Sequence, residues 1–396
     1  MKPPRLPLLR LAALACALFG DNAHAAQGTP ATVAFTVAAP ETVMSSARMK
    51  DLGIREFDTG IYRIAEREQS KWFSTCSKVP EGQTLAVGTL DEPFALVAER
   101  GVEFVGLPNR RLDRDQPGNF GWFAGIHDLG NGQVLAFIHT EESVVARGDQ
   151  GRRGVYFRFG LALSGDGGRH WKWLGYIMEP NASFRDWYTG AKGNLNVGYA
   201  NVIVHDGWFR LYYRDNRVVG DRLEDGVAVM RARVDDVVRS AQAGRVGVWH
   251  KYHEGDWREP GLGGRFTPLN IPTRGLMHGD AAYNTFLGRF IIVTRGSKWE
   301  DVRQSELQLT TSVDGLVWSD WQILFQDPHL NDYPTIVSTG DDNEITGQEF
   351  YVYFLKHHDR VMPGKFGEVR FDRIKVRLDD RERSAAGTAV PTPATP

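Results

Sequence analysis

The sequence predicts an all-β fold: a five-bladed β-propeller of four-stranded antiparallel sheets, with a sixth blade left open as an alternative. Three observations lead there. Short apolar runs alternate with Gly, Asp and Asn turns, and one stretch of note, VDDVVRSAQAG (234–244), has helical spacing. Hairpins recur in pairs along the chain. A Ser-x-Asp turn that ends in tryptophan occurs twice, as SGDGGRHW (164–171) and SVDGLVW (312–318).

The paired hairpins define the units. The first hairpin type reads GIHDLGNGQVLAFIHTE from Gly125, YANVIVHDGWFRLYYRD from Tyr199, DAAYNTFLGRFIIVTRG from Asp280 and DYPTIVSTGDDNEITGQEFYVYFLKHH from Asp332. Each is followed by a second hairpin, such as FGLALSGDGGRHWKWLGYI or LQLTTSVDGLVWSDWQILF. Four units therefore run from about 122 to 378. The segment from about 45 to 110 supplies a fifth, closed with help from the C-terminal strand. A radial array of such sheets shields their edges, which would otherwise pair with other chains. A two-sheet sandwich is the alternative, but it does not need paired hairpins at this period.

The ends read differently. Residues 1–25 carry Lys2 and Arg5, an apolar run LRLAALACALFG, and Ala23-His24-Ala25 as an A-x-A site. That pattern predicts a signal peptide cleaved after Ala25, too short for a membrane span, and hence a periplasmic or secreted protein. Cys16 leaves lipidation as the other outcome. Residues 26–44 read as a linker, 45–380 as the propeller domain and 381–396 as a disordered tail. After cleavage one cysteine remains, Cys76, so no internal disulfide is available and stability must come from a core. The formal net charge of −2 gives no sign of a nucleic-acid surface.

Each Ser-x-Asp turn falls between the third and fourth strands of its unit. There the acid can accept backbone N–H groups, glycine can take positive φ, and tryptophan can pack beneath the hairpin. Asp166 and Asp314 are therefore expected to be structural. SGDGGRHW resembles the Asp-box turn of sialidases, and SVDGLVW is similar to turns of five-bladed glycosidases of the family 43 and family 32 kind. The wider pattern resembles secreted bacterial glycosidase-like propellers. The resemblance implies the fold over about 320 residues. It implies the substrate only weakly, because Asp boxes also occur in propellers that only bind.

Strand direction narrows the search for chemistry. The start of the first strand and the exit of the second share one rim, and the Asp boxes lie on the other. First-strand starts bring Trp122, Tyr199, His278, Asp280 and Asp332 to that rim. Second-strand exits bring His139 with Glu141, Asp215, and Arg295. Asp58, in FDTGIYRIAE, precedes the first strand of the opening unit, and the resemblance to family 43 implies a general base there. Arg63 is similar to the arginine of the sialidase xRIP motif, but the proline is absent. Glycoside hydrolysis uses two carboxyl groups, one of them with a raised pKa. The expected trio is Asp58 as base, Glu141 as acid and Asp280 as the residue that tunes it. Arg63, Trp122, His139, Tyr199, Asp215, His278, Arg295 and Asp332 are the expected substrate contacts.

No metal motif is present. His250 and His253 form an H-x-x-H in an expected outer strand, and GDDNEITG (340–347) reads as a solvated turn without EF-hand spacing. A channel calcium, as some related propellers carry, stays open. Two functions follow: an exported glycoside hydrolase acting on a poly- or oligosaccharide, or a non-catalytic carbohydrate- or protein-binding propeller. Neither needs a further cofactor.

Overall fold

The computed structural model describes residues 32–51, 61–66, 68–74, 84–100, 103–105, 120–145, 153–181, 198–219, 222–271, 279–296, 305–342, 344–357 and 368–379. The expected signal peptide, Cys76 and the expected tail lie outside the described residues. Among the described residues, no helix is long and apolar enough to cross a membrane.

The chain begins with strands β1 (Phe35–Val37) and β2 (Glu41–Met44) and helix α1 (Ser46–Asp51). Blade 1 follows as β3 (Ile61–Glu66), β4 (Gln69–Ser74), β5 (Thr84–Gly88) and β6 (Leu96–Arg100), paired in that order. The short β7 (Glu103–Val105) then joins the outer edge of blade 2, parallel to its last strand. Blade 2 is β8 (Phe120–Gly130), β9 (Gln133–Val145), β10 (Arg153–Ser164) and β11 (His170–Met178). Blade 3 is β12 (Gly198–His205), β13 (Trp208–Val219), β14 (Arg222–Arg233), β15 (His250–His253) and β16 (Asp256–Pro260). Blade 4 is β17 (Asp280–Asn284), β18 (Arg289–Arg295), β19 (Ser305–Ser312) and β20 (Gln322–Asp327). Blade 5 is β21 (Leu330–Ser338), β23 (Glu349–His357) and β24 (Val369–Leu378), and β22 (Ile345–Thr346) lies in the loop between its first two strands. Five small sheets thus follow one another along the chain as the five blades of a propeller.

Two features of this closure differ from expectation. The stretch read as a linker contributes β1 and β2, which run antiparallel to β24 and form the outer edge of blade 5. The C-terminal strand closes that blade, not blade 1, whose four strands all come from residues 61–100. FTV and ETVM are too short for periodicity to reveal them. Their reason to be strands is the open edge of β24, and covering that edge joins the two ends of the chain.

Helix α2 (Val234–Gln242) lies where helical spacing predicted one, between β14 and β15. Asp235 and Asp236 occupy its first turn, where they favour the helix dipole, and Val237 and Ala241, four residues apart, form its buried stripe. His250 and His253 lie in the outer strand β15, as expected. Among the described residues they join no cluster of side chains that could hold a metal ion.

The two Ser-x-Asp turns are structural, between strands three and four of blades 2 and 4. Asp166 Oδ1 accepts the N–H groups of Arg169 (3.2 Å) and His170 (3.0 Å), and Ser164 Oγ accepts that of Gly168 at 2.8 Å. Asp314 Oδ1 likewise accepts the N–H groups of Leu316 and Val317 at 2.7 and 2.9 Å. Their tryptophans reach further than their own hairpins. Trp171 is fully buried and meets Phe73 of blade 1 and Phe123 of blade 2 at ring separations of 6.1 and 5.2 Å. Trp318 meets Tyr212 of blade 3 edge-on at 5.2 Å. Each turn therefore aims an aromatic wedge at the seam between two blades.

Gly168 lets this happen. Its φ is +93°, and a Cβ there would lie 2.5 Å from the Phe73 ring. Gly168→Ala is expected to lower stability by about 2–4 kcal/mol, from the disfavoured φ and the overlap together. Thermal unfolding checks this. A Tm within a degree or so of the parent would show that the seam has slack.

Candidate active site

The first strands of all five blades converge on one axial cavity. Tyr62 of β3, Gly125 and Ile126 of β8, Val202 of β12, Asp280 of β17 and Ile336 of β21 line it. Glu344 joins them from the loop between β21 and β23. Blades 2 and 3 touch at the cavity wall: a Cβ on Gly125 would stand 2.6 Å from the Val202 side chain.

Asp280 opens β17, at the end of the channel where the first strands begin. Its Oδ1 accepts its neighbour Ala281 N–H at 2.8 Å, and its Oδ2 accepts Ile336 N–H of blade 5 at 2.8 Å. These bonds favour the carboxylate, but burial outweighs them, and the Glu344 charge adds to burial. The Asp280 pKa is pushed up to about 7. Each oxygen accepts one backbone N–H and keeps one lone-pair position, so a proton can sit on either. Near neutral pH this residue can give or take a proton at the cavity wall.

Glu344 was expected in a solvated turn. Gly340, Asp341, Asp342 and Ile345 are indeed exposed, but Glu344 and Thr346 are buried: Ile345 and Thr346 form β22, parallel to Tyr283–Asn284 of β17, and Tyr283 N–H donates to Glu344 O at 2.9 Å. The bridge carries the Glu344 side chain into the channel, where it is buried and its Oε2 lies 3.1 Å from His127 Nδ1. Burial raises the Glu344 pKa despite the imidazole beside it, with Asp342 acting in the same direction. Burial alone would lower His127, but the hydrogen bond and charge of Glu344, with Asp342 and Asp128, outweigh it and raise its pKa. His127 also meets the Phe209 edge at a ring separation of 5.0 Å, which fixes its plane. Glu344 at the cavity wall and His127 beside it thus form a half-buried to buried acid–imidazole pair.

The other expected site residues are distributed as follows. Asp58 and His278 lie outside the described residues, as do the side chains of Trp122 and Tyr199. Glu141 stands opposite Phe120, at the start of the first strand of blade 2, and so shares the Asp280 rim. It is about a quarter exposed, with Oε1 3.4 Å from Nε2 of the buried His139. Phe157 and Phe159 hold that imidazole at ring separations of 5.3 and 4.9 Å.

Asp332 and Arg295 pair with each other, Oδ2 to Nη1 at 3.0 Å, and both are buried. The next residue, Tyr333, takes a φ of +51° before Pro334, within a bulge that lets Asp332 Oδ1 accept its N–H. Asp215 is fully buried against Lys251 Nζ at 3.0 Å. Arg63 lies away from the rim. Its Nη2 donates to the carbonyls of Ser338 (3.0 Å) and Gly340, where β21 ends, so it ties blade 1 to blade 5. The fold therefore brings Asp280 to the cavity and Glu141 to its rim, and uses Arg63, Asp215, Arg295 and Asp332 within buried contacts.

Sequence reasoning missed His127, Glu344 and Lys251. His127 carries a usable signal, because FAGIHDLG reads as an inner strand. Glu344 and Lys251 carry no local signal, since a bridge to a distant strand and a cross-strand partner place them. Among the described residues no cluster of His, Cys, Asp and Glu is arranged to hold a metal.

No family model matches the chain, and no curated protein matches it. Solved structures resemble it at the level of overall shape. The catalytic domain of a GH62 alpha-L-arabinofuranosidase from Coprinopsis cinerea aligns at 7% identity and TM-score 0.46, covering 87% of this chain and 97% of that one. A family 117 glycoside hydrolase from the marine bacterium Zobellia galactanivorans aligns at 11% identity and TM-score 0.45, covering 91% and 98%. An N-acetylgalactosamine deacetylase from F. plautii aligns at 14% identity and TM-score 0.45, covering 81% and 89%.

Proposed function

We propose that this chain is an exported glycoside hydrolase that cleaves a poly- or oligosaccharide at the mouth of the axial channel. One observation carries the reading: a buried carboxyl group, Asp280, stands on the channel wall, with its pKa pushed up to about 7 chiefly by that burial. Glycosidic cleavage needs an acid that is still protonated near neutral pH, to donate to the leaving oxygen, and a second carboxylate to activate water or attack. In this reading Asp280, expected from the sequence to tune Glu141, takes the role of acid instead, kept protonated chiefly by burial, to which the Glu344 charge adds. Glu141, on the same rim and partly exposed, and Asp58 are the candidates for the second carboxylate.

A second reading, a propeller that binds carbohydrate or protein without cleaving it, is favoured by the two backbone N–H groups on Asp280, which would also suit a purely structural acid. A glycan panel separates the two. The purified protein is expected to release reducing ends from at least one poly- or oligosaccharide. Glu141→Gln or Asp58→Asn is expected to lower the rate by a factor of about 10² or more. Binding without release would favour the second reading. Release unaffected by either change would remove both residues from the mechanism.

A further inference from the structure

At the opposite end of the ring, blade 3 carries an arrangement that the channel chemistry does not use. Trp208 and Arg210 open β13, and Arg231 and Arg233 close β14. The register sets Arg210 opposite Arg231 and Trp208 opposite Arg233, so all four side chains share one face of the sheet. The Arg231 guanidinium lies between two indoles, 4.2 Å from the Trp208 ring centroid and 4.2 Å from that of Trp257 in β16. Arg233 lies over Trp208 at 4.8 Å. The result is a ladder of alternating cations and rings.

Two features point to a ligand. Like charges directly opposite on a ladder destabilise a sheet, yet Arg210 faces Arg231, with Arg233 two residues away. Arg210 is tied down, donating to Asp314 O at 2.9 Å and lying over Phe290. Arg231 and Arg233, in contrast, have no hydrogen-bond acceptor and no carboxylate within ion-pair reach among the described residues. Asp256, the acid whose field reaches Arg231, is engaged by Arg258 at 2.6 Å. Burial first, then the fields of Arg210 and Arg233, lower the Arg231 pKa, and Asp256 offsets this only in part. Two rings therefore hold a planar five-donor fork rigid while its N–H edges stay unused, which is the preorganisation that bidentate oxyanion binding needs.

We propose that Trp208, Arg231, Arg233 and Trp257 form an oxyanion-recognition site for an acidic polysaccharide, one bearing carboxylate or sulfate groups. Arg231 takes the oxyanion through its fork, Arg233 adds a second contact, and Arg210 contributes field. The site lies away from the channel mouth, so it anchors polymer without occupying the channel. The choice of a polysaccharide rests on the glycosidase reading, but retention needs binding alone, so it can hold or fail independently of cleavage.

Affinity electrophoresis of the whole protein tests it, with dextran sulfate, polygalacturonate and uncharged dextran as separate probes. Retention is expected to be at least about tenfold stronger with one or both polyanions than with dextran, and to weaken as salt rises. The polyanion that retains the protein identifies the ester or the carboxylate. Arg231→Gln and, independently, Arg233→Gln at an exposed position are each expected to reduce retention several-fold. Arg233→Gln is expected to leave thermal unfolding unchanged, so it reports on binding even if loss of Arg231 loosens β16. Equal retention by all three probes, or retention unaltered in Arg233→Gln and Arg231→Gln, would overturn the proposal and leave the ladder as a clamp between β14 and β16.

Discussion

Asp280→Asn is expected to reduce glycan cleavage by a factor of about 10² to 10⁴, the range that removal of a positioned general acid costs. In the parent, activity should fall above about pH 7, as the Asp280 proton is lost. The same proton affects folding. An aspartate whose folded pKa lies near 7, against 3.8 unfolded, binds more proton in the folded state throughout that interval. Stability is then highest at the acid end of the window and falls as pH rises through 7, by at most on the order of 4 kcal/mol from this one group. Glu344 and His127, both raised, act with the same sign. His205, lowered chiefly by burial, opposes them. Denaturant midpoints from pH 5 to pH 8 should therefore decline in the parent, and decline less in Asp280→Asn. The amide introduced by Asp280→Asn must also turn its NH₂ toward one of the two backbone N–H groups, so some stability is lost at every pH. Activity retained in a folded Asp280→Asn protein would leave the carboxyl a tie between blades 4 and 5 and remove the central support for the glycosidase reading.

Lys251→Met should cost about 3–5 kcal/mol, because it strands a buried carboxylate. Lys251 and Asp215 are both fully buried, and Lys251 Nζ also donates to Glu179 O at 2.8 Å, which joins blade 3 to the end of blade 2. Burial already raises the Asp215 pKa against the pull of the lysine. Without the ammonium, Asp215 should take up a proton. Adding Asp215→Asn to Lys251→Met should then restore more than half of the loss, because no charge is left to bury. Chemical denaturation of the three variants reads this directly. A loss under about 1 kcal/mol for Lys251→Met would show that water reaches the pair and that the blade 2–blade 3 seam does not depend on it.

The turn SGDGGRHW illustrates how far local reading reaches. Its serine, acid and glycines bond within a few residues of one another, so sequence alone could place the turn and assign it to structure. The partner of its tryptophan, Phe73 of blade 1, could not be read, because that contact spans two sheets. The site divides in the same way. Asp280 and Glu141 were legible because strand direction carries them to one rim. Arg63 was legible as polar at a strand but not as a bond to Ser338 and Gly340. Glu344 reads as solvated because five of the eight residues in GDDNEITG are polar or charged and nothing nearby is apolar enough to pull them in. It is the inner edge of β17, where Ile345 and Thr346 pair, that brings the Glu344 side chain to the channel.

Residue order by itself determined what depends on neighbours along the chain: the alternating strands, the paired hairpins and hence the blades, helix α2, and the acid-and-glycine turns. Tertiary structure alone decided which end of the chain completes blade 5, which carboxyls remain open to the cavity and which are neutralised by Lys251 or Arg295. The reason is that burial and charge compensation depend on groups brought together by ring closure, and distance along the chain carries no record of them.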